Sequence, residues 1–450
     1  MQVRSLDSWI RKKIEAVRSV PPFSRAALAH YQLYMIQRTV DYACTHSRFY
    51  RDYLNEWSGK RLQSWEDVAH LPFTTAEHLY EQGLKLVCVS LGDIERVVTL
   101  DTSGTVARPK RLYFSRGDIA STVEFFRNGL TLFVSPPESA AVLLPADREG
   151  SAGDLVRKAL QQLSVTAIVP GPVVDPQATL KLLGEHRVSL IIGIPTQVLA
   201  LARSRTAATL NQGVKTVILC SDYVSEAIVE AIHEAWGCLV VSHYGSTEMG
   251  LGGGIECRFC RGYHFREADL YVEIVDPETG TPVPDGEYGE VVFTTLTRTG
   301  MPLIRYRTGD RAKFFSDPCP CGTVLKRMER VRRRVDGLTV LRDGGHVTMA
   351  DLDEALFRVP GVDDFEAILT REERETLHLR FSLQTGSESE AARGLQGALL
   401  EVPVIAAAVA GGSLAIGDVS RVSSIRLTNS PAKRTISDQR KLLSSPSGRG

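Results

Sequence analysis

Short apolar runs alternate with amphipathic stretches between residues 97 and 243. The runs read VVTL (97–100), AAVLLP (140–145), VTAIVP (165–170), LIIGIP (190–195), VILC (217–220) and LVVSH (239–243). The stretches with helical spacing read DLVRKALQQL (154–163), ATLKLLGEHR (178–187) and SEAIVEAIHEAWG (225–237). Runs that are apolar on both faces and separated by helices indicate parallel strands in an α/β sheet. Ser225 is the predicted N-cap of the last helix.

The pattern differs at both ends of the chain. Before residue 90, apolar positions recur at helical spacing, for example at Leu33, Ile36, Val40 and Ala43. After residue 263, YVEIVD (271–276) and GEYGEVVFTTL (286–296) follow a period of two around a Pro-Asp-Gly turn and predict antiparallel hairpins. A smaller α+β unit is predicted from ADLDEALF (350–357) onward, and the basic run 325–334 is interpreted as a solvated face or linker.

Composition and charge narrow the class of protein. Apolar residues make up 43% and charged residues 24% of the 450 residues, which is typical of a globular protein. Lys plus Arg and Asp plus Glu both number 53, so no net charge directs the chain toward nucleic acid or an anionic membrane. The longest apolar stretch, Val402 to Ile416, is broken by Pro403 and by Gly411-Gly412. With no signal-peptide pattern at the start, we expect a cytoplasmic location.

The segment LDTSGTVARPKRLYFS (100–115) is a candidate phosphate site. A strand is predicted to end at Leu100, and a Ser/Thr/Gly turn then leads to a basic Arg-Pro-Lys. Such a turn directs backbone N–H groups and hydroxyls at one point, as a phosphate requires, and Lys110 or Arg111 would add charge. The signal is modest by itself, because a Ser/Thr/Gly turn is more often only a turn.

Two further segments carry polar groups just beyond predicted strands. In VVSHYGSTEMGLGGG (240–254), Gly245 allows a close backbone approach, and Thr247-Glu248 places a hydroxyl beside a carboxylate. A hard cation that bridges phosphates takes oxygen ligands of the kind that Glu248 offers. In GMPLIRYRTGD (300–310), Asp310 follows a tight turn, where a carboxylate could accept two ribose hydroxyls.

Together these three segments resemble the adenylate-forming superfamily of acyl-CoA synthetases, luciferases and peptide-synthetase adenylation domains. The resemblance is to the phenylacetate-CoA ligase-like branch and spans nearly the whole chain. It is carried by residues 31–57 and LPFTT (71–75), followed in the branch's own order by YGSTEMG, GYHFREADL, EIVDPETG, GEVVFTTLTRTGMPLIRYRTGD and CPCG.

The resemblance implies an α/β fold and a two-step ligase. The fold would be a large N-terminal AMP-binding domain (1–336), with parallel α/β sheets and a β-rich subdomain, and a small C-terminal α+β lid domain (337–450) that rotates about a hinge near Asp336-Gly337. The reaction would convert a carboxylic acid, an aromatic one in the nearest relatives, into an acyl-adenylate with ATP and Mg²⁺. Coenzyme A would then displace AMP.

The resemblance also implies roles for individual residues. Phosphate binding falls to the loop and its lysine, nucleotide binding to turns that follow predicted strands, and catalysis to the Thr-Glu pair and a lysine of the small domain. His243 beside the adenine tyrosine is more often a packing residue than a base. The phosphate-binding residues are Thr102, Ser103, Gly104, Thr105 and Lys110. The nucleotide-binding residues are Ser221, Asp222, His243, Tyr244, Gly245, Ser246, Asp310 and Arg334. The catalytic residues are Thr247, Glu248 (the magnesium ligand) and Lys433.

The chain departs from the family pattern at two places. Val106 and Ala107 replace the last Thr-Gly of the phosphate loop, which removes a hydroxyl donor and restricts positive φ. Near the C-terminus, strict register places Pro431 at the position of the family's adenylation lysine. Lys433 is two residues away, and we assign it that role.

A metal signature follows the second segment. It reads Cys257-x-x-Cys260-x-x-x-His264 and later Cys319-x-Cys321. Clustered thiol and imidazole ligands favour tetrahedral zinc, with ordinary reduced cysteines as the alternative, and five candidates are one too many. The family resemblance implies that structural zinc is held by Cys257, His264, Cys319 and Cys321, with Cys260 spare.

Three functions remain open at this stage. The first is an acid–CoA ligase. The second is an adenylating enzyme with another acceptor, such as a deazaflavin cofactor or a carrier protein. The third is a nucleotide-binding protein without catalysis, which Val106, Ala107 and Pro431 suggest. The expected partner is a small carboxylic acid, with no nucleic acid and no membrane, and a homodimer is left open.

Overall fold

The computed structural model describes residues 4–17, 23–100, 109–210, 213–260, 262–334, 338–371, 373–423 and 434–440. The protein has an α/β fold, as the resemblance implied. Its chain forms two compact units. The first unit contains residues 1–135, 148–165 and 241–331, and the second contains residues 136–147, 166–240 and 332–450.

The helices are distributed over both units. In chain order they are α1 (Arg4–Val17), α2 (Arg25–His46), α3 (Arg48–Tyr53), α4 (Trp65–His70), α5 (Ala76–Gln82), α6 (Arg116–Leu130), α7 (Ala152–Gln162), α8 (Pro176–Glu185), α9 (Pro195–Ala202), α10 (Glu226–Trp236), α11 (Met349–Leu356), α12 (Glu388–Glu401) and α13 (Pro403–Ala410).

The strands are mostly short. In chain order they are β1 (Ile94–Leu100), β2 (Lys110–Ser115), β3 (Ser139–Leu143), β4 (Thr166–Ile168), β5 (Val188–Gly193), β6 (Thr216–Leu219), β7 (Leu239–Tyr244), β8 (Gly254–Glu256), β9 (Tyr263–Phe265), β10 (Leu270–Val275), β11 (Gly289–Thr295), β12 (Tyr306–Ala312), β13 (Arg327–Met328), β14 (Arg333–Arg334), β15 (Thr339–Val340), β16 (His346–Val347), β17 (Val362–Arg371), β18 (Glu375–Leu383), β19 (Leu414–Arg421) and β20 (Ser437–Asp438).

The second unit contains the parallel strands that the apolar runs predicted. Strands β6, β5, β3 and β4 lie side by side in that order, and each neighbouring pair is parallel. Every residue of β5 and β6 is buried, which explains why these runs show no polar alternation. Helices α8, α9 and α10 follow β4, β5 and β6 along the chain, as the spacing predicted.

Helix α10 begins and ends as its sequence predicts. The Ser225 hydroxyl accepts a hydrogen bond from the backbone N–H of Ile228 at 3.3 Å. At the other end, Gly237 adopts a left-handed conformation with φ of 65°, and its N–H donates to the His233 carbonyl at 2.7 Å. Both caps satisfy backbone groups that the helix itself leaves unpaired.

We expect Ser225→Ala to weaken α10 by about 1 kcal/mol, because the lost hydroxyl leaves an N-terminal N–H without its partner. Ser387→Ala is the matched control, since Ser387 is the N-cap residue of α12 but its side chain makes no capping hydrogen bond. Amide hydrogen exchange reports each helix separately. Equal acceleration of exchange in the two variants would contradict the prediction.

The second unit also contains the predicted C-terminal α+β elements. ADLDEALF forms α11, and the sheet that follows has the order β19, β18, β17, β20. No single helix of the described residues is long and apolar enough to cross a membrane, although α12 and α13 meet that length and composition together, with a bend of 90° between them. The predicted domain boundary at 336/337 falls in residues 335–337, outside the described part of the chain, and stays a prediction.

The first unit is built on antiparallel strands. Strands β10, β11 and β12 pair antiparallel, as the hairpin pattern predicted. The four short strands β7, β8, β9 and β13 also pair antiparallel in that order. The expected period-two alternation is wrong for β11, where every residue is buried. Helix α2 packs against this strand, so its outward-facing side chains are covered as well.

The run VVTL was predicted to be a parallel strand, and this prediction is wrong. It ends β1, which pairs antiparallel with β2 from Ile94↔Ser115 to Leu100↔Lys110. Half-buried and exposed residues alternate along β1, because Glu95 and other polar residues share the strand with the apolar ones. Four apolar residues are too few to separate a half-exposed strand from a buried one.

The basic run 325–334 is not simply a solvated face or a linker. Arg330 forms an ion pair with Glu256 at 2.7 Å, and Glu256 is fully buried. Arg327 is buried and forms an ion pair with Asp317 at 2.8 Å. The basic residues are therefore partly internal, and the sequence pattern could not show their distant acidic partners.

Arg305 holds the segment LPFTT against the antiparallel strands of the first unit. Its guanidinium donates to the Leu71 carbonyl at 2.8 Å and to the Glu273 carboxylate at 2.9 Å, and it lies 4.1 Å from the centre of the Phe73 ring. Only 1% of Arg305 is exposed, so this ion pair is fully internal. The contacts fix the start of β12, which carries site residues described below.

Candidate active site

The loop that follows β7 is closed by its own backbone. The carbonyl of Tyr244 accepts from the N–H of Gly253 at 3.2 Å, that of Ser246 from Leu251 at 2.8 Å and that of Thr247 from Gly250 at 2.9 Å. A Cβ added to Gly245 would lie 2.8 Å from the Leu251 carbonyl oxygen, so the predicted need for glycine is met by the loop itself. Ser246 also accepts from Met249 N–H at 3.3 Å.

A bulge in β12 directs Asp310 toward this loop. Between two regular pairs with β11, the residues 308–310 of β12 face a single residue of β11. Gly309 has φ of 74°, and the Asp310 N–H donates to the Thr308 hydroxyl at 3.0 Å. Bulges commonly redirect a side chain in this way. The Tyr244 hydroxyl donates to the Asp310 carboxylate at 2.7 Å, so the predicted adenine and ribose residues lie together.

Glu248 is the second point of contact between the loop and β12. Lys110, at the start of β2, forms an ion pair with the Glu248 carboxylate, and the Tyr306 hydroxyl donates to the same oxygen at 3.3 Å. Burial acts to raise the pKa of Glu248, but the charge of Lys110 and the hydrogen bonds to the carboxylate together outweigh burial, and the pKa is lowered. The carboxylate is therefore ionised at neutral pH although only 7% of the residue is exposed.

Two side-chain contacts join residues 244–248 to β12 and define the site. Tyr244 pairs with Asp310, and Glu248 pairs with Tyr306. One face of the Tyr244 ring stacks on Tyr263, with 5.5 Å between ring centres. The arrangement offers an aromatic ring, two carboxylates and one lysine. Carboxylate oxygens suit a hard cation, and the lysine suits a phosphate.

His243 precedes the loop as a neutral imidazole. Burial and, to a smaller extent, the charge of Arg266 together lower its pKa to about 4. The ring lies beside Phe125 and Phe126, with centres 6.1 and 5.8 Å away. Its Nε2 atom has no hydrogen-bond partner among the described residues. These aromatic contacts agree with a packing role and leave nucleotide contact a prediction.

The remaining predicted residues fall into two groups. Ser221, Asp222 and Arg334 belong to the second unit: the Asp222 carboxylate accepts from the Tyr223 N–H at 2.9 Å, and Arg334 is part of β14. Thr247 lies in the loop turn of the first unit. The other group lies outside the described residues and comprises Thr102, Ser103, Gly104, Thr105, Val106, Ala107, Pro431 and Lys433.

Arg434 lies in a buried cluster that sequence reasoning did not find. It forms ion pairs with Asp353 at 2.5 Å and with Asp364 at 3.2 Å, both within the second unit. Its guanidinium lies 4.9 Å from the centre of the Phe357 ring and 4.3 Å from that of Phe365. The sequence around Arg434 does not show whether its side chain faces the core, so the sequence could not reveal this cluster.

The structure brings Cys257, His264, Cys319 and Cys321 together. Their ligand atoms all lie within 4.8 Å of one another. The sulfurs of Cys257 and Cys319 are 3.7 Å apart, and the Cys321 sulfur is 3.6 Å from Nε2 of His264. Zn–S and Zn–N bonds in a tetrahedron imply edges of about 3.8 and about 3.6 Å. The four residues therefore fit a zinc ion.

Hydrogen bonds fix the orientation of His264 in the cluster. Nδ1 of His264 contacts the Lys326 carbonyl at 3.2 Å, which leaves Nε2 free to face the thiols. A hydrogen bond from Cys321 lowers the pKa of Cys257. Burial lowers the pKa of His264, but hydrogen bonds with Cys257 and Cys319 raise it to about 9. Cys260 is not a member of this cluster among the described residues.

Sequence reasoning also missed two arginines behind the loop. Arg298 Nη1 donates to the Glu248 carbonyl at 2.7 Å, and Arg266 donates to the Met249 carbonyl. Both arginines stand in segments recognised for other reasons, GYHFREADL and TLTRTGMP. No spacing rule connects them to the loop, because the contact depends on how the strands pair.

Comparisons with known proteins identify relatives of this chain. The family model described as AMP-binding enzyme matches residues 95–297. A phenylacetate-coenzyme A ligase of Thermus thermophilus is 29% identical over 361 residues, 78% of this chain and 79% of that protein. A phenylacetate-coenzyme A ligase of Escherichia coli is 25% identical over 300 residues, 65% of this chain and 67% of that protein.

Solved structures agree on the fold. A crystal structure of 2-hydroxyisobutyryl-CoA ligase in the postadenylation state has a TM-score of 0.76 at 22% identity and covers 92% of this chain and 90% of that chain. The amide bond synthetase McbA of Marinactinospora thermotolerans has a TM-score of 0.54 at 16% identity and covers 76% of this chain and 68% of that chain. Residues 95–297 therefore match the family of AMP-binding enzymes, and the chain is similar over much of its length to phenylacetate-coenzyme A ligases, as the resemblance implied.

Proposed function

We propose that the protein activates a small carboxylic acid with ATP and Mg²⁺ and transfers the acyl group to coenzyme A. The observation that carries the proposal is the pairing of Tyr244 with Asp310 and of Glu248 with Lys110 in one loop–strand site. The relatives named above support an acid and coenzyme A as substrates, and their names favour an aromatic acid.

In the first step, a carboxylate oxygen attacks the α-phosphorus of ATP, and the bond to the β-phosphate breaks. The products are an acyl-adenylate and pyrophosphate. The site supplies position and charge: Asp310 can accept the ribose hydroxyls, and the aromatic ring of Tyr244 can stack on a base. Glu248 would hold the magnesium ion, which offsets the negative charge of the phosphates.

Lys110 and Glu248 neutralise each other in the described structure. When Glu248 holds a cation instead, Lys110 becomes free to face a phosphate oxygen. In the second step, the thiol of coenzyme A attacks the acyl carbon, the bond to AMP breaks, and the thiol proton leaves to solvent. The predicted lid domain (337–450) and the hinge near Asp336-Gly337 would rotate between the two steps.

A pyrophosphate-release screen over a library of carboxylic acids, with and without coenzyme A, tests the proposal. We expect pyrophosphate from at least one acid and a thioester product only when coenzyme A is added. Pyrophosphate without a thioester would replace coenzyme A by another acceptor, such as a deazaflavin cofactor or a carrier protein. Nucleotide binding with no pyrophosphate from any acid would contradict the proposal and favour a binding protein.

We also propose that Cys257, His264, Cys319 and Cys321 hold one structural zinc ion. Four protein ligands close a tetrahedron and leave no position for a substrate. Cys257 follows β8, His264 lies in β9, and Cys319 and Cys321 form the Cys-x-Cys turn, so the metal would connect these three short segments. A cytoplasmic location, where cysteines stay reduced, would suit such a site.

We expect Cys319→Ser to lower the zinc content well below one ion per chain and to lower the melting temperature, because metal binding and local folding are coupled. Cys260→Ser is the matched control and should retain the metal, since Cys260 lies outside the cluster. Metal analysis and a thermal scan measure both effects. Loss of metal in Cys260→Ser instead would show that the wrong ligand has been chosen.

A further inference from the structure

Three consecutive carbonyls at residues 248–250 each accept a hydrogen bond from a different part of the first unit. The first accepts from Nη1 of Arg298 at 2.7 Å, the second from Nη2 of Arg266, and the third from the Thr122 hydroxyl at 2.9 Å. Thr122 belongs to α6, Arg266 follows β9, and Arg298 lies between β11 and β12. We call these three donors the carbonyl clamp.

The clamp adds to the hydrogen bonding within the loop. The carbonyls of Tyr244, Ser246 and Thr247 are already paired within the loop, so the clamp satisfies the next three. Because hydrogen-bond geometry is directional, six fixed carbonyls leave the backbone around Glu248 little freedom to rotate. The Glu248 carboxylate is then held where Lys110 and Tyr306 meet it.

The two clamp arginines are buried cations. Among the described residues, neither Arg266 nor Arg298 forms an ion pair. Burial lowers the pKa of Arg298 to about 10 and also lowers that of Arg266, so both remain protonated at neutral pH. A buried guanidinium is costly unless its N–H groups are satisfied, which makes hydrogen bonds to the loop carbonyls hard to replace.

Gly250 leaves the space in which the clamp converges. It adopts φ of 79°, and a Cβ added there would lie 2.9 Å from Nη2 of Arg298, 3.2 Å from Nη2 of Arg266 and 3.4 Å from the Thr122 hydroxyl. The three donors therefore meet around one residue, two positions after Glu248. An alanine at this position would have to displace at least one arginine.

We propose that Thr122, Arg266 and Arg298 are positioning residues that fix the Glu248 carboxylate for the divalent cation of the adenylation step. This inference rests on the proposed function. None of the three is required to touch a substrate. Their effect passes through the backbone of Glu248 to the carboxylate, and the positive charge of Arg298 also acts on that carboxylate.

Thr122→Val and Thr122→Ser form the first test pair. Valine keeps the shape of threonine and removes the hydroxyl donor, whereas serine keeps the donor. We expect Thr122→Val to raise the Mg²⁺ concentration for half-maximal pyrophosphate release by about 10-fold, roughly the value of one hydrogen bond to a buried acceptor. The KM for the acid should change by less than about twofold, and Thr122→Ser should behave as wild type.

Arg298→Met and Arg298→Lys form the second pair. Methionine removes a charge-assisted donor, and we expect a rise in the Mg²⁺ requirement of about 10- to 100-fold, with partial recovery in Arg298→Lys. Gly250→Ala should resemble Arg298→Met. Its matched control is Gly59→Ala, because Gly59 has φ of 75° with no atom near a built Cβ. A merely structural role would lower the melting temperature without changing the Mg²⁺ requirement.

Hydrogen exchange of the amides at 248–251, in the full chain without ligand, separates the clamp from the proposed function. If the wild type releases pyrophosphate but Thr122→Val and Arg298→Met keep its Mg²⁺ requirement, the clamp is overturned and the function stands. If the wild type releases no pyrophosphate with any acid, the proposed function fails. Hydrogen exchange then decides whether the clamp holds the loop. Faster exchange in Thr122→Val than in Thr122→Ser supports it, and equal exchange overturns it.

Discussion

Glu248→Gln should lower pyrophosphate release by at least about 100-fold, the loss typical of one preorganised electrostatic group. Glutamine keeps the shape of the side chain but removes the negative charge that a magnesium ion needs. It also leaves Lys110 without its partner in a buried place, where only 12% of the lysine side chain is exposed. Single-turnover release of pyrophosphate at saturating acid measures the effect.

The matched control for this variant is Glu278→Gln in an exposed turn of the first unit. It removes the same charge without touching the site and should release pyrophosphate as wild type does. Metal titration separates two origins of the loss. Recovery of Glu248→Gln at high Mg²⁺ would support a role in metal binding, and undiminished activity at all Mg²⁺ concentrations would remove Glu248 from the mechanism.

The same carboxylate gives the reaction a pH dependence with a definite sign. Lys110 lowers the pKa of Glu248 against the effect of burial, so the wild-type carboxylate stays charged below its usual pKa of 4.5. Its contribution to stability is present above pH 4.5 and is lost as the pH falls through the lowered value. In Lys110→Met, the charge and the hydrogen bond of Lys110 no longer oppose burial, so the pKa of Glu248 should rise and the acid limb of the activity profile should move to higher pH.

Lys433→Ala should slow acyl-adenylate formation by about two to four orders of magnitude, by analogy with other preorganised cations. The incoming carboxylate and the α-phosphate repel each other, and a compact cation between them would offset that repulsion. Register places Pro431 where the family has its lysine, and proline carries no charge. The reaction of supplied acyl-adenylate with coenzyme A should be nearly unchanged.

The neighbouring cations strengthen the choice of Lys433. Arg434 is buried between Asp353 and Asp364, and Arg440 forms ion pairs with Glu375 and Asp438. Both arginines are therefore already engaged. Lys441→Ala, another lysine of the same C-terminal segment, is the control. Equal loss in both half-reactions of Lys433→Ala would assign it a structural role, and no loss in either would leave adenylation without a lysine from this segment.

Sequence patterns predicted what depends on local order. The buried parallel strands and the hairpin of β10 and β11 follow from runs of apolar residues, and the cap at Ser225 follows from three adjacent positions. The Cys/His cluster could be expected because two short motifs carry rare ligand types, and the family resemblance selected four of its five candidates. In each case the signal lies within a few residues of the feature.

What the sequence could not predict depends on distant partners. The sequence of β1 suggests a buried strand, but β1 pairs antiparallel with β2 and alternate residues are exposed. The basic run that contains Arg330 gives no sign of its ion pair with Glu256. The clamp likewise joins residues more than a hundred positions apart, such as Thr122 and Gly250. Electrostatic and hydrogen-bond partners of this kind are set by strand register, which composition and spacing do not encode.

The two side-chain hydrogen bonds between residues 244–248 and β12 have a consequence for mutational analysis. One hydrogen bond joins Tyr244 to Asp310, and the other joins Glu248 to Tyr306. Because both connect the same short segment to the same strand, we expect a substitution in one pair to affect the other. Free-energy effects of substitutions in contact with one another do not add, and coupling of about 0.5–3 kcal/mol is usual. The effect of a single alanine variant at any of these four residues would therefore include a contribution from the other pair. Only double-mutant cycles would separate the free energies of the two hydrogen bonds.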